Sequence, residues 1–346
     1  MRPLKADRLQ EIIRSFEKSR IAVMGDYFLD KYLDVDPALA ELSVETGKTA
    51  HQVVGIRCSP GAAGTVVNNL AALGAGQLHV LGFTGDDGEG FELRRALRNL
   101  GCNIDGLFTR PHLFTPTYLK PRDRRNADLS GEHERYDTKN RRPTLREDLE
   151  RLLAHLEQLL PLLDALIVLD QVEEDECGVV TAEVRVRLAT MASLFPDKIF
   201  WADSRRRIGR FRGVIIKPNA NEAVKETCPD CAGREDDGVI RRAITDLRRS
   251  TGKPVFVTAG RRGIWISDPD PVLVRGVKVE EPTDPTGAGD SATAGAVLAL
   301  CARATLEEAA LVANLVASIT VQQLATTGTA KPEQLGPRLE MWRSQG

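Results

Sequence analysis

The chain has 346 residues, with 47 Lys+Arg against 49 Asp+Glu and a formal net charge of −2 at pH 7. Hydrophobic residues make up 42% and charged residues 28%, which excludes a disordered chain or a coiled coil and argues against nucleic acid as partner. No run approaches 18 apolar residues, and residues 1–20 mix charges without an apolar centre, so neither a membrane span nor a secretory leader is expected, and a cytoplasmic enzyme or binding protein is.

In chain order, the apolar run 21–24 ends at Gly25 and reads as a buried strand. Residues 33–57 are polar and extended, with Val44, Val53, Val54 and Ile56 scattered among charged neighbours. Residues 66–73 have helical spacing, stop at Gly74 and lead into a second apolar run, 78–83. Residues 115–137 are again extended, with a basic stretch at Arg122, Arg124 and Arg125. Helical patterns at 145–160 and 237–249 then alternate with apolar runs at 165–169, 198–202, 213–216, 255–258 and 264–267. Continuous apolar strands between amphipathic helices imply an α/β fold: a doubly wound, mainly parallel sheet with helices on both faces. The two extended pieces fit poorly inside such a sheet. They predict a small β lid built from insertions at about 33–57 and 115–137, near the strand ends where ligands bind, within a single domain spanning 1–346. The arginines of the second piece suit either a phosphate contact or a solvated hairpin tip. Of six cysteines only Cys228 and Cys231 have metal-type spacing. With no second Cys or His pair to complete a site, they are expected as two thiols in a surface loop.

Asp284-Pro-Thr-Gly-Ala-Gly-Asp290 is the most informative segment, because an unbroken run of small and apolar residues, 291–302, follows it and must be a helix. Its glycines let the backbone approach a ligand, and first-turn N–H groups with the helix dipole form an anion site suited to phosphate. A carboxylate at Asp290 could take a proton from a hydroxyl attacking a phosphoryl group held there; the plainer reading is an Asp decorating a helix N-terminus. The dinucleotide fingerprint is also matched at 287–292, but it requires a strand just before the glycines, and Glu280-Glu-Pro-Thr283 stands there instead.

These residues resemble the signatures of the ribokinase-like (PfkB) carbohydrate kinases: the 284–290 segment their C-terminal one, and Pro60-Gly-Ala-Ala-Gly64 through 69–74 their N-terminal one. The likeness runs over about residues 20–330. Residues 25–32, Trp201-Ala-Asp-Ser204 and Lys217-Pro-Asn-Ala-Asn-Glu222 look similar to the heptose-7-phosphate kinase branch. The resemblance implies transfer of the γ-phosphoryl group of ATP to a sugar or sugar-phosphate hydroxyl, with Mg²⁺, in a chain whose lid pairs with its twin as a homodimer. It implies Asp290 as general base and the Gly287, Ala288 and Gly289 amides as anion hole. Asp30, Gly61, Ala62, Thr65 and Asn69 would serve the acceptor. Asn219 and Glu222 would organise Mg²⁺; Thr258, Gly260, Gly263 and Asn314 would line the nucleotide. The turn 325–328 would lie beside a monovalent cation such as K⁺.

Three departures touch the acceptor end. Ala62 replaces the second glycine of the usual Gly-Gly pair, and Thr65 replaces a sugar-contacting Asn, offering one hydroxyl where Asn offers an acceptor and two donors. The loop 170–175 is acidic where the heptose-kinase branch carries a Lys, so a sugar phosphate would be repelled unless Arg122, Arg124 or Arg125 compensates. A non-catalytic sugar or nucleotide sensor of the same fold, or a nucleoside kinase, are the competing expectations.

Overall fold

The buried strands explain the architecture. Along β1 (Arg20–Gly25), Ile21 and Val23 point into one hydrophobic core while Ala22 and Met24 point into another. The same alternation holds in β10 (Ala165–Asp170), where Ala165, Ile167 and Leu169 face the first core and Leu166 and Val168 the second. A strand apolar on both faces needs cover on both. One face is covered by helices including α2 (Ala63–Ala72), α8 (Ala288–Cys301) and α9 (Leu306–Thr320). The other is covered by α4 (Arg146–Leu159), α5 (Ala182–Leu194), α6 (Ala220–Thr227) and α7 (Asp237–Thr251).

This computed structural model describes residues 4–126, 131–267, 270–324 and 327–346. The main sheet has nine strands. From one edge they run β15 (Pro271–Arg275), β14 (Gly263–Ser267), β13 (Val255–Thr258), β12 (Ile215–Ile216) and β11 (Ile199–Ser204), then β10, β1, β6 (Gln77–Gly85) and β7 (Asn103–Arg110). Every pairing from β13 to β7 is parallel; only the β13–β14–β15 meander is antiparallel. The architecture is the doubly wound, mainly parallel one the sequence implies.

A second sheet of four strands, in the order β5–β2–β8–β9, stands at the carboxyl ends of β1 and β6. It is made of β2 (Tyr27–Val35), β5 (Val53–Ala62), β8 (Thr117–Asp123) and β9 (Tyr136–Thr138), with a short hairpin of β3 (Glu41–Leu42) and β4 (Thr49–Ala50) at its far end. It takes in more chain than the polar stretches alone, because residues 27–32 pair with 57–62 and residues 29–32 with 117–120. A single residue, Asp26, joins β1 to β2. Its backbone and carboxylate hold four segments: its N–H donates to Leu169 O (3.2 Å), its carbonyl accepts from Ala63 N (3.1 Å), and its buried carboxylate accepts the N–H groups of Gln171, Val172 and Val179 at 2.8, 3.0 and 2.7 Å. Burial, then the neighbouring Asp170, pushes the Asp26 carboxyl up to about 6 against those three donors.

Cys228 and Cys231 are not two free thiols but a disulfide. A tight turn at Pro229–Cys231 brings their Cα atoms to 5.3 Å, inside the range a disulfide spans.

Candidate active site

The site is built from the α8 N-terminus outward. Asp284 is buried and accepts the Thr286 N–H (2.9 Å), folding the chain back so that Gly287 takes a left-handed conformation (φ 75°) as N-cap of α8. Ala288 N–H is used on Pro285 O (3.1 Å), and Ser291 N–H on Gly287 O (2.9 Å). The open donors of this turn are therefore the N–H groups of Gly287, Gly289 and Asp290, an arrangement suited to an anion.

Asp290 is half-buried in the first turn of α8. Burial, then the charge of Asp203, pushes its carboxyl up to about 7, while Lys217 and Arg205 pull the other way. None of those three neighbours is singled out as a site residue by the sequence. Asp203 ends β11 and Lys217 follows β12; both are buried and pair at 2.7 Å (Lys217 Nζ to Asp203 Oδ2). A Cβ at position 289 would lie 3.4 Å from Lys217 Nζ, so the ammonium sits against the anion-binding turn. The signal was available in the strand register: Trp201 pairs with Ile215 and Ala202 with Ile216, which puts Asp203 and Lys217 next in line.

Asn219 and Glu222 open α6 as a reciprocal cap: Asn219 Oδ1 accepts Glu222 N–H and Glu222 Oε2 accepts Asn219 N–H, both at 2.8 Å. Both also line the cleft of about 900 Å³ that contains Asp290, Asp203, Lys217, Arg205 and Thr258. Burial and Asp203 raise the Glu222 carboxyl, so a cation there would be welcomed. Among the described residues no three His, Cys, Asp or Glu side chains converge as a ready cage. That fits Mg²⁺, which keeps most of its waters and arrives with phosphate oxygens.

Thr258, Gly260, Gly263 and Asn314 meet along a second, adjoining cleft of about 510 Å³, with Val277, Val279 and Ala317 as apolar lining. Asn314 holds this wall by donating Nδ2 to Val274 O (2.9 Å) and Arg275 O (3.2 Å). The two clefts share Thr258, Gly260, Pro285 and Gly289. A long ligand could lie in the second with its end at Asp290.

Across from α8, Asp30 stands on β2, buried, with Lys120 Nζ of β8 at 2.8 Å from its Oδ1. Gly61 is required beside it, since a Cβ there would come within 2.7 Å of Asp30 Oδ2. Ala62 adopts φ 53°, ψ −118° as N-cap of α2, a conformation strained for any residue but glycine by about 1–3 kcal/mol. Thr65 and Asn69 are buried within α2. The Thr65 methyl lies 3.4 Å from where a Cβ on Gly287 would be, and Asn69 Nδ2 bonds back to Thr65 O (3.0 Å). Of the turn 325–328, Ala325 and Thr326 lie outside the described residues; Thr327 packs 3.5 Å from the Cβ position of Gly287.

The lid arginines are otherwise engaged. Arg124 pairs with Asp36 (3.0 Å), Arg125 with Asp123 (3.2 Å), and Arg122 donates to Asn126 O (2.6 Å). The cations that meet the acidic loop come instead from the end of β11. Arg206 pairs with Glu173 (2.6 Å), and Arg207 is buried in a two-bond fork on Asp170 (2.9 and 3.2 Å) while also reaching Asp175 (3.2 Å).

Residues 209–333 match the family described as pfkB family carbohydrate kinase. The chain is 30% identical over 339 residues to the Bifunctional protein HldE of Caulobacter sp. (strain K31), covering 95% of this chain and 65% of that one. It is 26% identical over 320 residues to the Bifunctional protein HldE of Sulfurimonas denitrificans, covering 91% and 63%. The chain thus spans a little under two thirds of the relatives it matches. Among solved structures it is similar to Escherichia coli phosphofructokinase-2 in complex with potassium (TM-score 0.70, 18% identity, 94% of this chain and 99% of that one). It is also similar to Arabidopsis thaliana ribokinase complexed with ribose and ATP (TM-score 0.67, 17% identity, 93% and 99%). The fold is thus ribokinase-like, and the segment similar to the pfkB family of carbohydrate kinases carries the α8 turn itself.

Proposed function

We propose that this chain is an ATP-dependent sugar kinase that transfers the γ-phosphoryl group to a hydroxyl of a sugar or sugar phosphate, a heptose 7-phosphate being the acceptor that the sequence resemblance suggests. The observation that carries the reading is Asp290: a carboxyl held near neutrality, at the mouth of three open backbone N–H groups, beside the buried Lys217 ammonium. A base with that proton affinity suits its task near pH 7. Asp290 removes the proton from the attacking hydroxyl, while the Gly287, Gly289 and Asp290 amides and Lys217 meet the charge that develops on the phosphoryl oxygens. Asp30 orients the acceptor by accepting from its hydroxyls. The nucleotide lies in the cleft of Thr258, Gly260, Gly263 and Asn314. Glu222, set by Asn219, would hold Mg²⁺, which supplies charge neutralisation between the phosphates. A K⁺ beside the 327–328 turn and a lid-to-lid homodimer belong to the same reading, and an ATP-consuming reaction of this kind sits in the cytoplasm.

The test is ADP formation with ATP-Mg²⁺ against a panel of sugars and sugar phosphates. The native chain turns over with one or more members, and Asp290→Asn lowers kcat by about 10²–10⁴. Unchanged turnover in Asp290→Asn removes Asp290 as the base. Ligand binding by the native chain with no turnover supports the sensor reading instead.

A further inference from the structure

Cys228 and Cys231 take no part in the chemistry at Asp290, yet they stand at the far end of the helix that borders it. α6 begins at the cleft with the Asn219–Glu222 cap and ends at Cys228, whose N–H bonds Val224 O (2.8 Å). The turn Pro229–Cys231 is then closed twice, by Cys231 N–H on Cys228 O (2.8 Å) and by the disulfide. Cys231 packs against the second core, but both cysteines are only half-buried and Pro229, Asp230 and Ala232 are exposed. The bond is open to a small thiol. Its cysteines are three positions apart, and loops this short gain the least stability from a cross-link. Disulfides in cytoplasmic chains are mostly transient ones used for catalysis or sensing. The pair therefore suits exchange better than it suits a staple.

The chain just beyond the disulfide is bonded to both clefts. Glu235 Oε1 accepts Asn221 Nδ2 (2.9 Å) and Gly233 N–H (3.2 Å), and Asn221 lines the cleft that contains Asp290. Arg262 donates Nη2 to Glu235 O (3.0 Å) and Nη1 to Asp237 (2.9 Å). It ends the turn Gly260–Arg262, whose Gly260 and Arg261 line the nucleotide cleft. The two walls also meet directly, through Thr258 N–H on Pro218 O (3.1 Å). Residues 232–237 are thus strung between Cys231 and the side of α6 and β13 that faces the nucleotide. Unbonded sulfurs cannot sit as close as bonded ones, so breaking the bond parts Cys228 from Cys231 and slackens the stretch that carries Glu235.

We propose that Cys228–Cys231 is a thiol–disulfide exchange site: the oxidised form holds the nucleotide cleft in shape, and the reduced form binds ATP more weakly. The nucleotide part rests on the kinase reading of that cleft. In the exchange a thiolate of an external dithiol attacks one sulfur, the Cys228–Cys231 bond breaks, and the other sulfur leaves as thiolate and takes a proton. The second thiol of the reductant then closes on the first and releases the remaining cysteine. Two electrons and two protons pass from the dithiol to the pair, and the dithiol departs as a disulfide.

The experiment compares the oxidised native chain, the same chain after dithiothreitol, and the double variant Cys228→Ser/Cys231→Ser. Thiol titration of the unfolded chain scores the state, six thiols when reduced against the four of Cys58, Cys102, Cys177 and Cys301 when oxidised. Reduction weakens calorimetric ATP-Mg²⁺ binding and raises the KM for ATP by about 2–30-fold, the usual reach of coupling between sites, with kcat little changed. Amide hydrogen exchange speeds up at 219–222 and 260–262 but not at 287–290. The serine variant behaves as the reduced chain and ignores dithiothreitol, which assigns the response to this pair rather than to the other cysteines. Because the native chain supplies both states itself, the comparison stands even where the variant fails to melt cooperatively. Three results overturn the proposal: four free thiols not reached under oxidation, equal ATP affinity and exchange in the two native states, or a serine variant that still responds to dithiothreitol. Redox-dependent exchange at 219–222 and 260–262 with no ADP formed from any sugar leaves the exchange site standing and removes the kinase reading. ADP formation identical in both states does the reverse.

Discussion

Asp290 illustrates a conflict between stability and chemistry within one side chain. Its carboxyl, ordinarily near 3.8, is held at about 7 by burial and by Asp203. Below about pH 4 it is neutral in both folded and unfolded chains and carries no penalty. As pH rises, the unfolded chain ionises first, so stability is lost progressively until the folded group ionises near pH 7. Asn at 290 never ionises and escapes that loss. Asp290→Asn should therefore be more stable than the native chain at pH 8, by something on the order of 2 kcal/mol, with the difference fading toward pH 4. Thermal unfolding across that range checks it, and a gap that widens on acidification contradicts the assignment. In activity the proposed mechanism reverses the sign: it needs Asp290 deprotonated, so turnover is expected to rise through about pH 7.

At the scale of elements, the loop after β10 is where the fold invests a buried ion pair. Arg207 forks onto Asp170, whose other partner is the Ser204 hydroxyl (2.6 Å), and it also donates to the carbonyls of Val172 and Glu173. Burial raises the Asp170 carboxyl, and the fork and Ser204 oppose it. Removing one partner of such a pair leaves a charge uncompensated, so Arg207→Met should destabilise by about 3–5 kcal/mol in urea unfolding; a change under about 1 kcal/mol would show that the pair is dispensable. This network also shows what the sequence could and could not reveal. The turn at 284–290 was legible because all its determinants are contiguous: two glycines, a helix-forming run and an acid at its start. Asn219 and Glu222 were legible locally as a helix cap, which the structure shows, while their place beside Mg²⁺ is implied by the resemblance alone. Asp203–Lys217 and Asp170–Arg207 were not, because each pairs a strand residue with one just beyond the neighbouring strand, 14 and 37 positions apart, and the pairing exists only once the strand order is known. The arginines expected to offset the acidic loop were sought in the lid for their basic run, yet nearby acids in the lid itself, Asp36 and Asp123, take up Arg124 and Arg125.

For the whole molecule, the parallel sheet and its two cores follow from uninterrupted apolar strands, which is why the α/β class was readable. The extent of the second sheet was not, since β2 and β8 pair in parallel across some 90 residues of intervening chain that no local pattern encodes. The second sheet and its hairpin also leave apolar side chains in water: Leu42, Val44 and Ile56 are 71%, 96% and 62% exposed. Leu39, Val53 and Val54 are exposed as well, and exposed apolar side chains gathered in one region of the chain are what an interface would use. If two lids pair through it, Ile56→Glu should shift the native species from dimer to monomer in sedimentation without lowering the melting temperature of the core; a native chain that sediments as a monomer ends that expectation.

The single residue between β1 and β2 has a mechanical outcome. Asp26 is bonded at once to β10, to the start of α2 and to three amides of the loop beyond Asp170. A tilt of the second sheet would pull on this point, as on the crossing from β5 into α2. A swing that brought Asp30 and Lys120 toward Asp290 would load the same carboxylate that tethers Gln171, which couples the jaw to the floor beneath it.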